Sequence, residues 1–139
     1  MQDIINIENG ALFFDNKEYI FAKTTYEEIL MMKGTINYAI DHLHAGIKSV
    51  HFHNKEINRS FYQISFCFDF EKLNSVFITV KDGKVILKLP FWKNLKRIEL
   101  KNNARKTKMK RKNYDWGSVI ASYDQKVNFG SIIINYKWE

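Results

Sequence analysis

Two groups of residues in this chain have the types and spacing to do chemistry: one dense basic run and two histidine pairs. Residues 93–112, KNLKRIELKNNARKTKMKRK, hold ten Lys or Arg against a single acid, Glu99. Twelve basic and fourteen acidic residues lie elsewhere, so the formal net charge of +7 divides into +9 on the run and −2 on everything else. A run of this kind can neutralise phosphates and release their counterions. It can steer an acidic protein into contact. It can also be a solvated face with no partner. Trp92, Tyr114 and Trp116 flank the run but do not interleave with it, unlike a groove that stacks successive bases. Lys outnumbers Arg 18 to 4, whereas bidentate recognition of phosphate or bases favours Arg. Together with plentiful Ile and Asn, this is the bias of an AT-rich genome, which accounts for part of the charge. The candidate partner-binding residues are Lys96, Arg97, Lys101, Arg105, Lys106, Lys108, Lys110, Arg111 and Lys112. From 104 to 112 only Met109 has anything to bury, so the last six of these stand where a partner would be met.

The histidines form two His-x-His pairs, His42 with His44 and His51 with His53. In an antiparallel hairpin with His42 opposite His53 and His44 opposite His51, all four imidazoles would share a face and could hold zinc. The simpler reading is a polar sheet face, because Ile47-Lys48 is poor turn chemistry for that register. The expectation is therefore no metal and no cofactor. The single Cys67 sits in the apolar run Ile64-Ser65-Phe66-Cys67-Phe68 and reads as a small buried side chain. No glycine-rich phosphate loop, Gly-x-Ser-x-Gly elbow or metalloprotease helix motif occurs. Asp69, Glu71 and Asp82 fall at strand edges and turns, where acids are solvated, so no acid–base pair can be nominated. The chain is expected not to be an enzyme.

The elements that must position these residues are mostly strands. At 139 residues the chain fits one domain, 1–139, able to bury roughly two-thirds of its unfolded surface. The turn signal Asn9-Gly10 separates apolar stretches at 4–7 and 11–14, and a strand follows at 18–22. A capping box, Thr24 with Glu27 or Thr25 with Glu28, then opens a short helix marked by Tyr26, Ile29, Leu30 and Lys33, with Gly34 as its stop. Residues 35–45 suit either period and are read as strand, because His51 and His53 alternate with Val50 and Phe52 downstream. Strands follow at 61–70, 75–80 and 85–89, the last two joined through Asp82-Gly83. Pro90 starts a second helix near 91–106, docked through Phe91, Trp92, Leu95 and Ile98 and solvated at its end. Strands return at 115–123 and 129–138. The expected class is α+β: a single antiparallel curved sheet of about six to eight strands with two helices. No basic n-region or run of roughly 18 apolar residues is present, so the expected location is cytoplasmic and off the membrane.

The C-terminal pattern of Trp116-Gly117 with Val119, Tyr123-Asp124, then Ser131 with Ile132, Ile134 and Tyr136 resembles the closing hairpin of immunity proteins encoded beside bacterial polymorphic toxins, including those of contact-dependent growth inhibition. The Lys-rich segment entered from Trp92, and the strand pair at 61–80 containing Phe68-x-Phe70-Glu71-Lys72-Leu73, are similar in order. The likeness spans roughly half of the chain. The loop Gln125-Lys126-Val127-Asn128 departs from it, lacking the Pro and Gly-Ser residues of that group. What the resemblance implies is stoichiometric binding and neutralisation of one cognate toxin domain, with no catalytic residue of its own. A protein of that class with net charge +7 calls for a toxin with an acidic surface, or for binding through its neutral body. The alternative is a small nucleic-acid-binding module that uses the basic helix 93–112.

Overall fold

A computed structural model of the chain describes residues 5–42, 46–57, 59–80, 108–124 and 129–138. Short strands β1 (Leu12–Phe13) and β2 (Tyr19–Ile20) pair in a two-stranded sheet and precede the helix α1 (Tyr26–Leu30). The remaining strands are β3 (Thr35–His42), β4 (Ile47–Ile57), β5 (Ser60–Asp69), β6 (Lys72–Val80), β7 (Lys108–Tyr114), β8 (Gly117–Asp124) and β9 (Phe129–Tyr136). Among the described residues they form one antiparallel sheet in the order β3-β4-β5-β6-β9-β8-β7.

The α+β expectation is thereby corrected. The described residues are mostly antiparallel strand, and among them one short helix, α1, stands in place of two. The helix expected near 91–106, and the strand at 85–89, fall outside the described residues. Where description resumes, the end of the basic run is strand β7. Its period-two sequence, Lys108-Met109-Lys110-Arg111-Lys112, suits a pleat, and its apolar content was too low for a periodicity argument to reveal this. No helix among the described residues is long and apolar enough to cross a membrane.

Strict alternation builds the core face. Val50, Phe66, Val76, Ile134 and Val119 lie opposite one another across β4, β5, β6, β9 and β8, and all are buried. The N-terminal segment lies over this face and adds Ile5, Leu12, Phe14, Ile20 and Ile29 to the same cluster. At one end it is clasped by side chains of the last strands: Trp116 Nε1 donates to Ile7 O (2.8 Å) and the buried Tyr136 hydroxyl to Gly10 O (2.7 Å). The capping box forms at Thr25 and Glu28, each side chain accepting the other's backbone N–H at 3.1 Å. That motif stabilises by about 1 kcal/mol, less than the roughly 2 kcal/mol from burying Ile29, so docking on the sheet holds the helix.

The other end is held by Lys55. In β4 the register slips between Phe52 and Lys55, because three steps on this strand match two on β5. This bulge turns Lys55 to the core face, where it is 1% exposed. Its ammonium donates to Glu18 Oε1 at 2.6 Å and to Lys33 O, and lies 4.6 and 5.4 Å from the ring centres of Phe14 and Phe52. Glu18 Oε2 accepts from Lys33 N at 2.9 Å. Beside it Gly34 has φ +136°, and a Cβ there would come within 2.9 Å of Asn54 O. Nothing in the alternation of 50–57 announces a lysine in the core.

Truncating one member of a buried ion pair costs about 3–5 kcal/mol, and the partial exposure of Glu18 puts Lys55→Ala near the low end of that range. Lys55→Met keeps the stem and removes the buried charge, so it is expected to cost less than Lys55→Ala. Urea midpoints at constant m test this; an alanine variant as stable as the parent would remove Lys55 from its role.

Candidate protein-binding face

The outward face of the large sheet follows from the same registers. One row crosses seven strands as Tyr38, His51, Ser65, Phe77, Ile133, Ile120 and Arg111. A parallel row runs Ile40, Ser49, Cys67, Ser75, Asn135, Ser118 and Asn113. A third holds Gln63, Thr79, Ser131 and Ser122. None of these residues belongs to the core cluster, and His51, Ser65, Phe77, Ile133 and Ile120 are half-buried. The three rows contain no carboxylate. Asp69, the next acid along β5, lies beyond them opposite Lys72.

At the β7 end this face deepens into a groove of about 440 Å³. Arg111 and Asn113 of β7, Ser118 of β8, Asn135 of β9 and Lys137 just after it line the groove, with Gly117 between the strands. Gly117 has φ +153°, and a Cβ there would lie 1.9 Å from Asn135 O, so only glycine lets the β7–β8 turn approach β9 so closely. Arg111 is exposed and its Nε donates to Asn113 Oδ1 at 3.0 Å. Asn135 Oδ1 accepts from Ser75 Oγ at 2.9 Å.

Of the candidate basic residues, Lys108, Lys110, Arg111 and Lys112 fall on β7, opposite Tyr123, Ala121, Ile120 and Val119. Lys96, Arg97, Lys101, Arg105 and Lys106 lie outside the described residues, as does Trp92. Sequence reasoning missed Asn113, Ser118, Asn135 and Lys137, which carry no local signal and meet only through the pairing of β7, β8 and β9. Two of the flanking aromatics are already engaged. Tyr114 stacks on Trp116 with centroids 5.1 Å apart and planes 7° apart, and Lys112 Nζ lies over its ring at 5.6 Å. Trp116 is anchored to Ile7, with Gly10 so close that a Cβ there would lie 2.5 Å from the indole.

The histidine arrangement differs from the one that could hold zinc. His42 pairs with Ile47 and His51 with Tyr38, and two irregularities interrupt the β3–β4 register. The structure therefore does not form the required pairing of His42 with His53. Among the described residues no three His, Cys, Asp or Glu groups converge on a metal-holding arrangement. His51 is instead satisfied by hydroxyls: Nδ1 lies 2.6 Å from Ser65 Oγ and Nε2 lies 3.0 Å from Ser49 Oγ, while Tyr38 stacks on its ring at 4.1 Å. Cys67 is half-buried beside them, and burial raises its thiol pKa, which suits an unreactive side chain.

Burial lowers the pKa of His51 below its ordinary 6.5. The unfolded chain then binds the proton more readily than the native protein, so this group's contribution to stability is complete above pH 6.5 and is lost as pH falls through the lower folded-state value. His51→Gln is expected to show a smaller drop in urea midpoint between pH 8 and pH 5 than the parent. Parallel pH profiles for the two proteins would show that His51 is not the titrating group.

Scans of family models, of curated proteins and of solved structures return no match to this chain.

Proposed function

We propose that this protein is an immunity protein, which binds a cognate bacterial toxin domain and neutralises it as a stoichiometric complex in the cytoplasm. The observation that carries the reading is the outward sheet face, whose three rows lack carboxylates and whose β7 end carries a groove lined by Arg111 and Lys137. A face with that charge distribution favours an acidic partner and raises the encounter rate. Six spacings between strands make it about 29 Å wide, and three rows make it about 14 Å deep. This is on the order of 400 Å², about half of the roughly 800 Å² each partner contributes to a standard interface. The contact would therefore extend past the face onto the flanking strands and turns, where Lys137 is also exposed. Blocking a toxin needs shape and charge, and no chemistry from the inhibitor.

The competing reading is a small nucleic-acid-binding module. It has less support, because single-strand binders present free aromatic faces to bases and Tyr114 and Trp116 are committed to each other and to the N-terminal segment.

The C-terminal domain of a toxin-like reading frame ending just upstream of this gene is expected to form a 1:1 complex, measured by light scattering, and co-expression should protect cells from it. Combining Arg111→Glu with Lys137→Glu should weaken the complex by on the order of tenfold or more and flatten its salt dependence. Absence of both complex and protection would sink the inhibitor reading. Micromolar binding to nucleic acid at physiological salt, lost on the same substitutions, would favour the competing one.

A further inference from the structure

We propose that the groove where β7 and β9 end and β8 begins is a carboxylate-binding pocket, and that an Asp or Glu side chain of the protein partner docks there. This rests on the protein-binding reading above and names the chemistry at one point of that contact.

Hydrogen-bond inventory within the groove carries the argument. An asparagine amide offers one acceptor oxygen and two N–H donors. Asn113 spends its oxygen on Arg111 Nε, and Asn135 spends its oxygen on Ser75 Oγ. Both amides are therefore oriented, with their NH₂ groups left to donate. Arg111, held through Nε, keeps its remaining guanidinium donors, and Lys137 has only donors to give. The Ser118 hydroxyl, which can turn to donate, is 4% exposed and lies in register between Asn113 and Asn135. Four side chains from three strands, with Lys137 just after β9, thus present donors to one groove, and no carboxylate among the described residues lines it. A group rich in acceptors and negatively charged completes this set, and Arg with amide donors suits a planar carboxylate. Nucleic-acid phosphate offers the same charge, but the ring that would stack a base beside it, Tyr114, is already covered by Trp116.

The test titrates the full-length protein with a short oligoglutamate, its oligoglutamine counterpart and inorganic phosphate, following side-chain N–H resonances. The glutamate peptide is expected to shift the Asn113 and Asn135 amides and Arg111 Nε saturably, with the glutamine peptide inert. Arg111→Gln, at an exposed position, should weaken binding about tenfold, the scale of one charged hydrogen bond. Lys23→Gln, which removes the same charge at an exposed position outside the groove, should stay within about twofold. Equal losses in the two variants would reduce the effect to net charge and overturn the pocket while leaving the inhibitor reading intact. Unmoved asparagine amides, or no glutamate binding at low salt, would also overturn it, and the toxin complex would then decide the function alone. Phosphate bound as tightly as the glutamate peptide would overturn the carboxylate assignment.

Discussion

An ammonium group buried between two aromatic rings holds this fold in register. Lys55 joins Glu18 of the N-terminal segment, the Lys33 carbonyl beyond α1 and the Phe14 and Phe52 rings at one point. The group is tolerable in the core because each demand of the charge is met: a carboxylate at 2.6 Å, a carbonyl, and the negative faces of two rings. Burial still pulls its pKa below 10.5, against the opposing pull of Glu18. An isosteric apolar side chain would supply comparable burial, but could not choose Glu18 and Lys33 as neighbours. The charge therefore fixes where the N-terminal segment crosses the sheet, and Trp116 and Tyr136 fix its other end.

That crossing gives the sheet two unlike faces. The covered side carries unbroken apolar rows from β4 to β8, whereas the outward side mixes serines, asparagines and threonine with Phe77, Ile133 and Ile120. A sheet with one dry face normally alternates in this way, so alternation alone does not mark a site. What distinguishes the outward face is the absence of carboxylates from its three central rows and the groove at its β7 end, produced where Gly117 permits close approach to Asn135.

Features legible in the sequence were those written locally. The Thr25–Glu28 capping box and the strands at 61–70, 75–80, 115–123 and 129–138 follow from short-range spacing, and those segments lie on α1, β5, β6, β8 and β9. Long-range consequences were hidden. The bulge that turns Lys55 inward depends on how β4 meets β5, and nothing in HNKEI records it. The β3–β4 register depends on irregularities near Ile36 and Tyr38, so a pairing guessed from the histidines placed them wrongly. The charge of 108–112 masked a period of two, and the strand was mistaken for the end of a helix. Of the groove, only Arg111 was foreseen, because its other members come together through the pairing of β7, β8 and β9.

The position of β9 has a consequence for how the chain acquires its shape. Strands β3 to β6 can form a meander from sequence neighbours, but the next partner of β6 is β9, with Ser75 opposite Asn135 across 60 residues. The last described strand therefore sits near the middle of the sheet, and among the described residues it alone joins the β3–β6 half to β7 and β8. Among the described residues β9 is the strand that covers this edge of β6, where Val76 and Ile78 lie on the apolar side. Closure is then a late, non-local step of the kind that slows folding and leaves an unpaired strand available to the wrong neighbour.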